Sequence, residues 1–140
     1  MKDGWWKYNP VLTHEHNLSH DQRDMAFIFT TPRVNMAFYN PNAGINMNVD
    51  MGMYKVIYKP RRNTIRVSTF EDNLNNDGFM HPHIMGVQNG DICWGNAANT
   101  YSRSMTDQTP SKAFSALRIL LQTYNDESPY RPIMEFAFVS

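Results

Sequence analysis

The chain has one cysteine, no excess of charge of either sign and no long run of apolar residues. A single cysteine, Cys93, cannot form an intramolecular disulfide, which agrees with a reducing compartment. Because 13 basic residues balance 13 acidic ones, no long-range field attracts phosphate backbones or anionic lipid. A bilayer-spanning helix needs about 20 apolar residues, and Met1-Lys2-Asp3-Gly4 does not open a signal peptide. We therefore expect a soluble, cytoplasmic protein that binds neither nucleic acid nor membrane.

What the chain does have is enough large apolar side chains for one core. Hydrophobic residues make up 41% of its 140 residues, with 8 Phe, 7 Tyr and 3 Trp, which is too many for a disordered chain. Chains split into separate cores only at greater length. We expect an N-terminal arm over residues 1–24, which shows no sustained helical or strand period, followed by a single domain over residues 25–140.

Short β-rich runs occupy the first half of that domain. They cover residues 25–31, 34–39, 53–58 and 64–70. The first two runs are interpreted as adjacent strands, and the last two flank a polar turn with a proline, which predicts a hairpin. In the last run apolar and polar residues alternate, so one face meets a core and the other meets water. The pattern predicts an antiparallel meander of about four strands.

One amphipathic helix is predicted over residues 110–124. Thr109 offers a hydroxyl to cap free backbone donors, and Pro110 stands at the first helical position, where its missing N–H costs nothing. Apolar residues then recur at steps of three and four; they are Phe114, Leu117, Leu121 and Tyr124. The fold class predicted from these elements is α+β, with this main helix packed on the sheet.

A distinctive series of short motifs lies between the strands and the helix. His81-Pro82-His83 is followed by an irregular loop, then by Gly90-Asp91-Ile92-Cys93, then by the proline-started helix and the acidic loop 125–129. This order resembles the active-site region of ubiquitin-conjugating enzymes, with His83 where that family has Asn. The resemblance covers about residues 79–133 and implies a minimal, divergent relative of bacterial or phage type.

What the resemblance implies is a thioester carrier, a transferase that uses no cofactor. Cys93 would accept the C-terminus of a ubiquitin-like protein from an activating enzyme and pass it to an amine. His83 would donate a hydrogen bond to the developing oxyanion or act as a base, and His81 would shape the loop. Asp126 or Glu127 would orient or deprotonate the incoming lysine. The implied location is the cytoplasm of a bacterium or of a phage-infected host cell.

Two other interpretations stay open from the sequence. The same fold can serve without catalysis as a binding or assembly module, for example a phage structural or accessory protein. The candidate binding residues are then Trp5, Trp6 and Trp94, since aromatic side chains often anchor partners.

The third interpretation is a small metal-bound domain. His81 and His83 with Cys93 make three zinc-type ligands, and no clear fourth ligand follows them. The N-terminal histidines His14, His16 and His20 would complete such a site, or would belong to a solvated polar arm. In the catalytic interpretation no metal is expected.

Overall fold

The computed structural model describes residues 4–18, 25–70, 79–86, 90–125, 129–130 and 132–136. The strands are β1 (Lys7–Tyr8), β2 (Phe27–Thr30), β3 (Val34–Asn40), β4 (Ile45–Gly52), β5 (Tyr54–Lys59), β6 (Thr64–Thr69), β7 (Ile84–Met85) and β8 (Asp91–Ile92). The helices are α1 (Pro10–Leu18), α2 (Ala98–Thr106) and α3 (Pro110–Leu121), with single 3-10 turns at Gly95–Ala97 and Ile133–Glu135. The predicted α+β class is confirmed: the sheet is mostly antiparallel, and two main helices, α2 and α3, pack on it.

A long antiparallel hairpin organises the sheet. β2 pairs with β5 and β3 pairs with β4 in almost the same register, so β2–β3 and β4–β5 act as two long, interrupted strands. The interruption falls at Pro32, which has no N–H to donate, and at Gly52, whose φ is 84°. Thr31 spans the gap, because its N–H donates to the Tyr54 carbonyl at 3.0 Å and its Oγ1 accepts the Tyr54 N–H at 2.9 Å. The register is therefore kept across the break.

The strand predictions are confirmed in part. β5 and β6 form the predicted hairpin, and its turn is closed by the Asn63 N–H, which donates to the Pro60 carbonyl at 3.2 Å. The runs 25–31 and 34–39 do not pair with each other as expected, since they lie end to end and pair with β5 and β4. β4 was not predicted, and it supplies the partner that β3 needs.

The N-terminal arm carries a helix and a strand that the sequence analysis did not predict. α1 begins after Asn9, whose Oδ1 accepts the Leu12 N–H at 3.1 Å, as an N-cap does. Leu12 packs against a small apolar cluster that includes Ile28 and Ile57, and β1 pairs with β2 at the sheet edge. Helices this short are marginal alone, so α1 depends on the sheet beneath it, and its sequence period is correspondingly weak.

Helix α3 covers the opposite face of the sheet. The ring of Phe114 lies 5.1 Å from that of Phe29 and 5.2 Å from that of Trp6, both edge to face. The predicted apolar face is buried through Phe114, Leu117 and Leu121, and the helix ends at Leu121, before Tyr124. The main core lies between this helix and the sheet.

The start of α3 differs from its sequence prediction. Thr109 occupies the N-cap position, but its side chain makes no capping hydrogen bond. Ser104 of α2 supplies the cap, because its Oγ accepts the Ala113 N–H at 3.1 Å and its hydroxyl donates to the Thr109 carbonyl. One buried hydroxyl thus fixes α2 and α3 to each other. No helix among the described residues has both the length and the apolar character needed to cross a bilayer.

Candidate functional site

A tight turn and a two-stranded ribbon bring Cys93 next to His83. The turn closes where the Ile84 N–H donates to the His81 carbonyl at 3.1 Å. β7 leaves this turn and pairs with the returning strand β8, with Ile84 opposite Ile92. The Cys93 N–H then donates to the His83 carbonyl at 2.8 Å. The chain therefore holds the backbones of the cysteine and the histidine in direct contact across ten residues of sequence.

His81 lies behind this turn as a buried anchor. Its Nε2 is 2.9 Å from the Leu121 carbonyl, and its Nδ1 accepts the His83 N–H at 3.0 Å. Burial is the main cause that lowers its pKa, the hydrogen bond to Leu121 opposes this, and the charge of nearby His83 adds to it. Together they lower the pKa of His81 from 6.5 to about 3. His81 is therefore neutral at physiological pH and joins the turn to the C-terminal end of α3.

His83 is held by the chain that follows α3. Its side chain is buried, with the residue 4% exposed, and its Nε2 accepts the Asn125 N–H at 3.0 Å. The ring of Tyr124 lies 5.8 Å from the imidazole at an angle of 33°. The segment after the helix thus closes over one edge of the imidazole ring.

A cavity of about 260 Å³ opens beside these residues. It lies between the Cys93 segment and α3, and most of its lining is apolar or small. The described lining residues are His83, Cys93, Trp94, Gly95, Ala97, Ala116, Ile119, Leu120, Thr123 and Asn125. Cys93 is half-buried, and it lines the same cavity as His83.

Tyr130 is a neighbour of the site that the sequence analysis missed. Its N–H donates to the Pro82 carbonyl at 2.8 Å, which places it over the His-Pro-His turn. Burial, and secondarily the charge of the Cys93 thiolate, raises the pKa of the Tyr130 hydroxyl above its usual value. Its position after Pro129 in a polar loop gave no signal of this placement.

The candidate residues divide into three groups by location. Cys93, His83 and Trp94 line the cavity, where the Trp94 ring stacks on Tyr101 at 4.3 Å. His81 supports the turn from the core side and is not among the described lining residues. Asp126 lies outside the described residues.

The two N-terminal tryptophans are both engaged within the fold. Trp6 is 6% exposed and belongs to the main core, so its ring cannot anchor a partner while it remains packed there. Trp5 is half-buried, and the Arg118 guanidinium lies 4.9 Å from its ring centroid, the geometry of a cation–π contact.

The metal-binding interpretation finds no cluster to support it in the described part of the chain. No group of three or more His, Cys, Asp or Glu side chains there is arranged to hold a metal ion. His81 uses both ring nitrogens in hydrogen bonds to backbone, so coordination would break one of them. His14 lies exposed on α1, and His20 lies outside the described residues.

No protein-family model, no curated protein and no solved structure matches this chain.

Proposed function

We propose that the protein is a ubiquitin-conjugating-like carrier that holds a ubiquitin-like modifier as a Cys93 thioester and transfers it to an amine. The observation that carries this proposal is that half-buried Cys93 and His83 line the same cavity. A nucleophilic cysteine needs access for the acyl group and a nearby donor for the oxyanion. The site brings the two residues together from two short motifs ten positions apart.

The reaction would proceed in two balanced steps. The Cys93 thiolate attacks the carbonyl carbon of the modifier's C-terminal thioester on the activating enzyme, a new C–S bond forms, and the activating enzyme's thiolate leaves. In the second step an amine attacks the same carbon, the C–N bond forms and the bond to Cys93 breaks. The amine loses its proton to solvent water, and the Cys93 thiolate is regenerated.

The apolar lining of the cavity favours acyl transfer over hydrolysis. The described lining contains no Lys, Arg, Asp or Glu side chain, so none of those side chains holds water there. Charge that develops on an oxyanion in such surroundings interacts more strongly with a nearby N–H than it would in water. Two described lining side chains, His83 and Trp94, have a ring N–H. Of these, His83 stands where the family that the motifs resemble has its oxyanion donor.

The test is acyl transfer to the intact protein from a short peptide that carries a C-terminal thioester of a small thiol. We expect a mass increase equal to the peptide acyl group, reversed by excess thiol and absent in Cys93→Ala. The native protein should react faster than the same chain in denaturant, and His83→Ala should lower the native rate by tenfold or more, because loss of one oxyanion donor costs about 10² to 10³ in rate.

A second measurement separates accessibility from activation. Alkylation of Cys93 by a small neutral reagent across pH reports whether the thiol can be reached in the folded state. A thiol that reacts with neither reagent until the chain unfolds would overturn the carrier proposal. The non-catalytic binding interpretation would then replace it.

A further inference from the structure

The two histidines of the His-Pro-His turn are held by backbone groups whose roles are fixed. A carbonyl oxygen only accepts a hydrogen bond, and a backbone N–H only donates one. His81 Nε2 lies 2.9 Å from the Leu121 carbonyl, so Nε2 carries the proton of His81. His83 Nε2 accepts the Asn125 N–H at 3.0 Å, so in neutral His83 the proton is on Nδ1. The two imidazoles, two residues apart, are therefore opposite tautomers.

We propose that the backbone N–H of Asn125 is a positioning group that holds His83 as the Nδ1–H tautomer, so that His83 serves the acyl transfer as a hydrogen-bond donor and not as the base. The role in acyl transfer rests on the proposed function, whereas the tautomer follows from the geometry alone. Catalysts whose histidine is oriented by a second group depend on that group for the correct tautomer.

A role for His83 as the base conflicts with the hydrogen bond that its Nε2 accepts from the Asn125 N–H. Neutral His83 can take up a proton only at Nε2, the nitrogen that already accepts the Asn125 N–H. Protonation there would place two N–H groups against each other in a residue that is 4% exposed, and water could not replace the lost bond easily. The proton of the incoming amine must therefore go to a group other than His83, such as solvent water.

His81 supports the arrangement from the other side. Its Nδ1 accepts the His83 N–H at 3.0 Å, which fixes the backbone of His83 and hence the origin of its side chain. The path from α3 to the site is short: the Leu121 carbonyl holds His81, His81 holds the His83 backbone, and Asn125 holds the His83 ring. Both ends of this path belong to the chain at and just after the end of α3.

The direct test is nitrogen NMR of the whole protein with labelled histidine, at a pH where His83 is neutral. Protonated and unprotonated ring nitrogens have well-separated shifts, so the spectrum identifies each tautomer. His81→Gln and His83→Asn assign the two signals. We expect Nε2–H for His81 and Nδ1–H for His83. An Nε2–H signal for His83 in the unaltered protein would overturn the proposal. This NMR measurement needs no variant at residue 125.

A matched pair of variants tests the role of Asn125. Asn125→Pro removes the backbone N–H, whereas Asn125→Ala keeps it and removes only the side chain. We expect Asn125→Ala to keep the Nδ1–H tautomer of His83 and Asn125→Pro to lose it. In the peptide-thioester assay, the rate of acyl transfer to Cys93 should be lower in Asn125→Pro than in Asn125→Ala by tenfold or more. Equal tautomers or equal rates in two folded variants would overturn the positioning role.

The same experiments distinguish this inference from the proposed function. If the protein forms no adduct but His83 is the Nδ1–H tautomer, the carrier proposal and the donor role both fail, and only the tautomer assignment stands. If the adduct forms and His83 is the Nε2–H tautomer, the carrier proposal stands and this inference fails.

Discussion

The sheet and the site segment, residues 79–136, are held in place in different ways. In the sheet each strand from β2 to β6 pairs with a neighbour through a ladder of several hydrogen bonds. The described part of the site segment depends on single hydrogen bonds between distant residues. Two lie within it, His81 to Leu121 and His83 to Asn125, and one comes from the sheet, Tyr54 to Met80. A ladder tolerates the loss of one bond, whereas a single buried bond has no neighbour to replace it. Small changes should therefore affect the site segment more than the sheet.

The largest effect that we predict is the loss of His81. In His81→Ala the Leu121 carbonyl and the His83 N–H lose their buried partner and a cavity forms, so the free energy of unfolding should fall by about 3 kcal/mol or more. Urea denaturation followed by circular dichroism measures this. Asn48→Ala, an exposed change in the middle of β4, is the control and should stay within about 0.5 kcal/mol. Similar losses of unfolding free energy in the two variants would contradict the expectation that the site segment is more sensitive to small changes than the sheet.

Acid should weaken the site segment through the same residue. Because the pKa of His81 is 6.5 when unfolded and about 3 when folded, the unfolded chain binds a proton in that range that the folded protein does not. Stability from this group is complete above pH 6.5 and is lost as the pH falls, by about 1.4 kcal/mol per pH unit.

Replacement of His81 by a residue that does not titrate isolates this effect. Gln at this position has an amide N–H for the Leu121 carbonyl and an oxygen for the His83 N–H. The slope of unfolding free energy against pH, measured between pH 7 and about pH 5, should be shallower in His81→Gln than in the unaltered protein. Parallel slopes would show that His81 does not remain neutral in the fold.

A smaller effect is predicted where the sheet meets the site segment. The hydroxyl of fully buried Tyr54 donates to the Met80 carbonyl at 2.8 Å. Tyr54→Phe leaves that carbonyl without its donor, which should cost about 1 to 3 kcal/mol. Tyr39→Phe, an exposed tyrosine of β3, is the matched control and should change little. Thermal unfolding of both variants compares them, and equal midpoints would show that the Tyr54 bond does not stabilise this junction.

The smallest predicted effect concerns the start of α3. Ser104→Ala removes the hydroxyl that caps Ala113 and should cost about 0.5 to 2 kcal/mol. Thr109→Ala should cost less, because the Thr109 side chain makes no capping bond. Chemical denaturation of the two variants decides between the caps. A larger loss of unfolding free energy in Thr109→Ala than in Ser104→Ala would show that Thr109 caps α3, as the sequence alone predicted.

The elements that the sequence predicted well have strong local signals. The β5–β6 hairpin has alternation in Ile65 and Val67 and a turn rich in polar residues, and α3 has Pro110 at its start. β4 also has a period of two, since apolar residues alternate with Asn46, Asn48 and Asp50 along it. Asparagine is uncommon in strands, which masked the period.

The missed helices lacked such signals. α1 and α2 are nine residues each, and short helices owe their stability to tertiary packing more than to propensity. In α2 the residues that face inward include Ser104, whose value as a cap depends on the neighbouring helix. The closeness of Cys93 and His83 was expected from the resemblance, but Tyr130 and Asn125 as partners of the turn were not.

The sequence by itself determined the α+β class, the hairpin and the amphipathic helix, because alternation, turns and helix starts are encoded by residues within a few positions of one another. Only the tertiary structure decided that Trp6 is core, that Ser104 caps α3 and that the two histidines hold opposite tautomers. The ring bonds of His81 and His83 to Leu121 and Asn125 join residues about 40 positions apart in the sequence. Which nitrogen of a histidine carries the proton depends on what lies opposite it in space, and no local pattern records that.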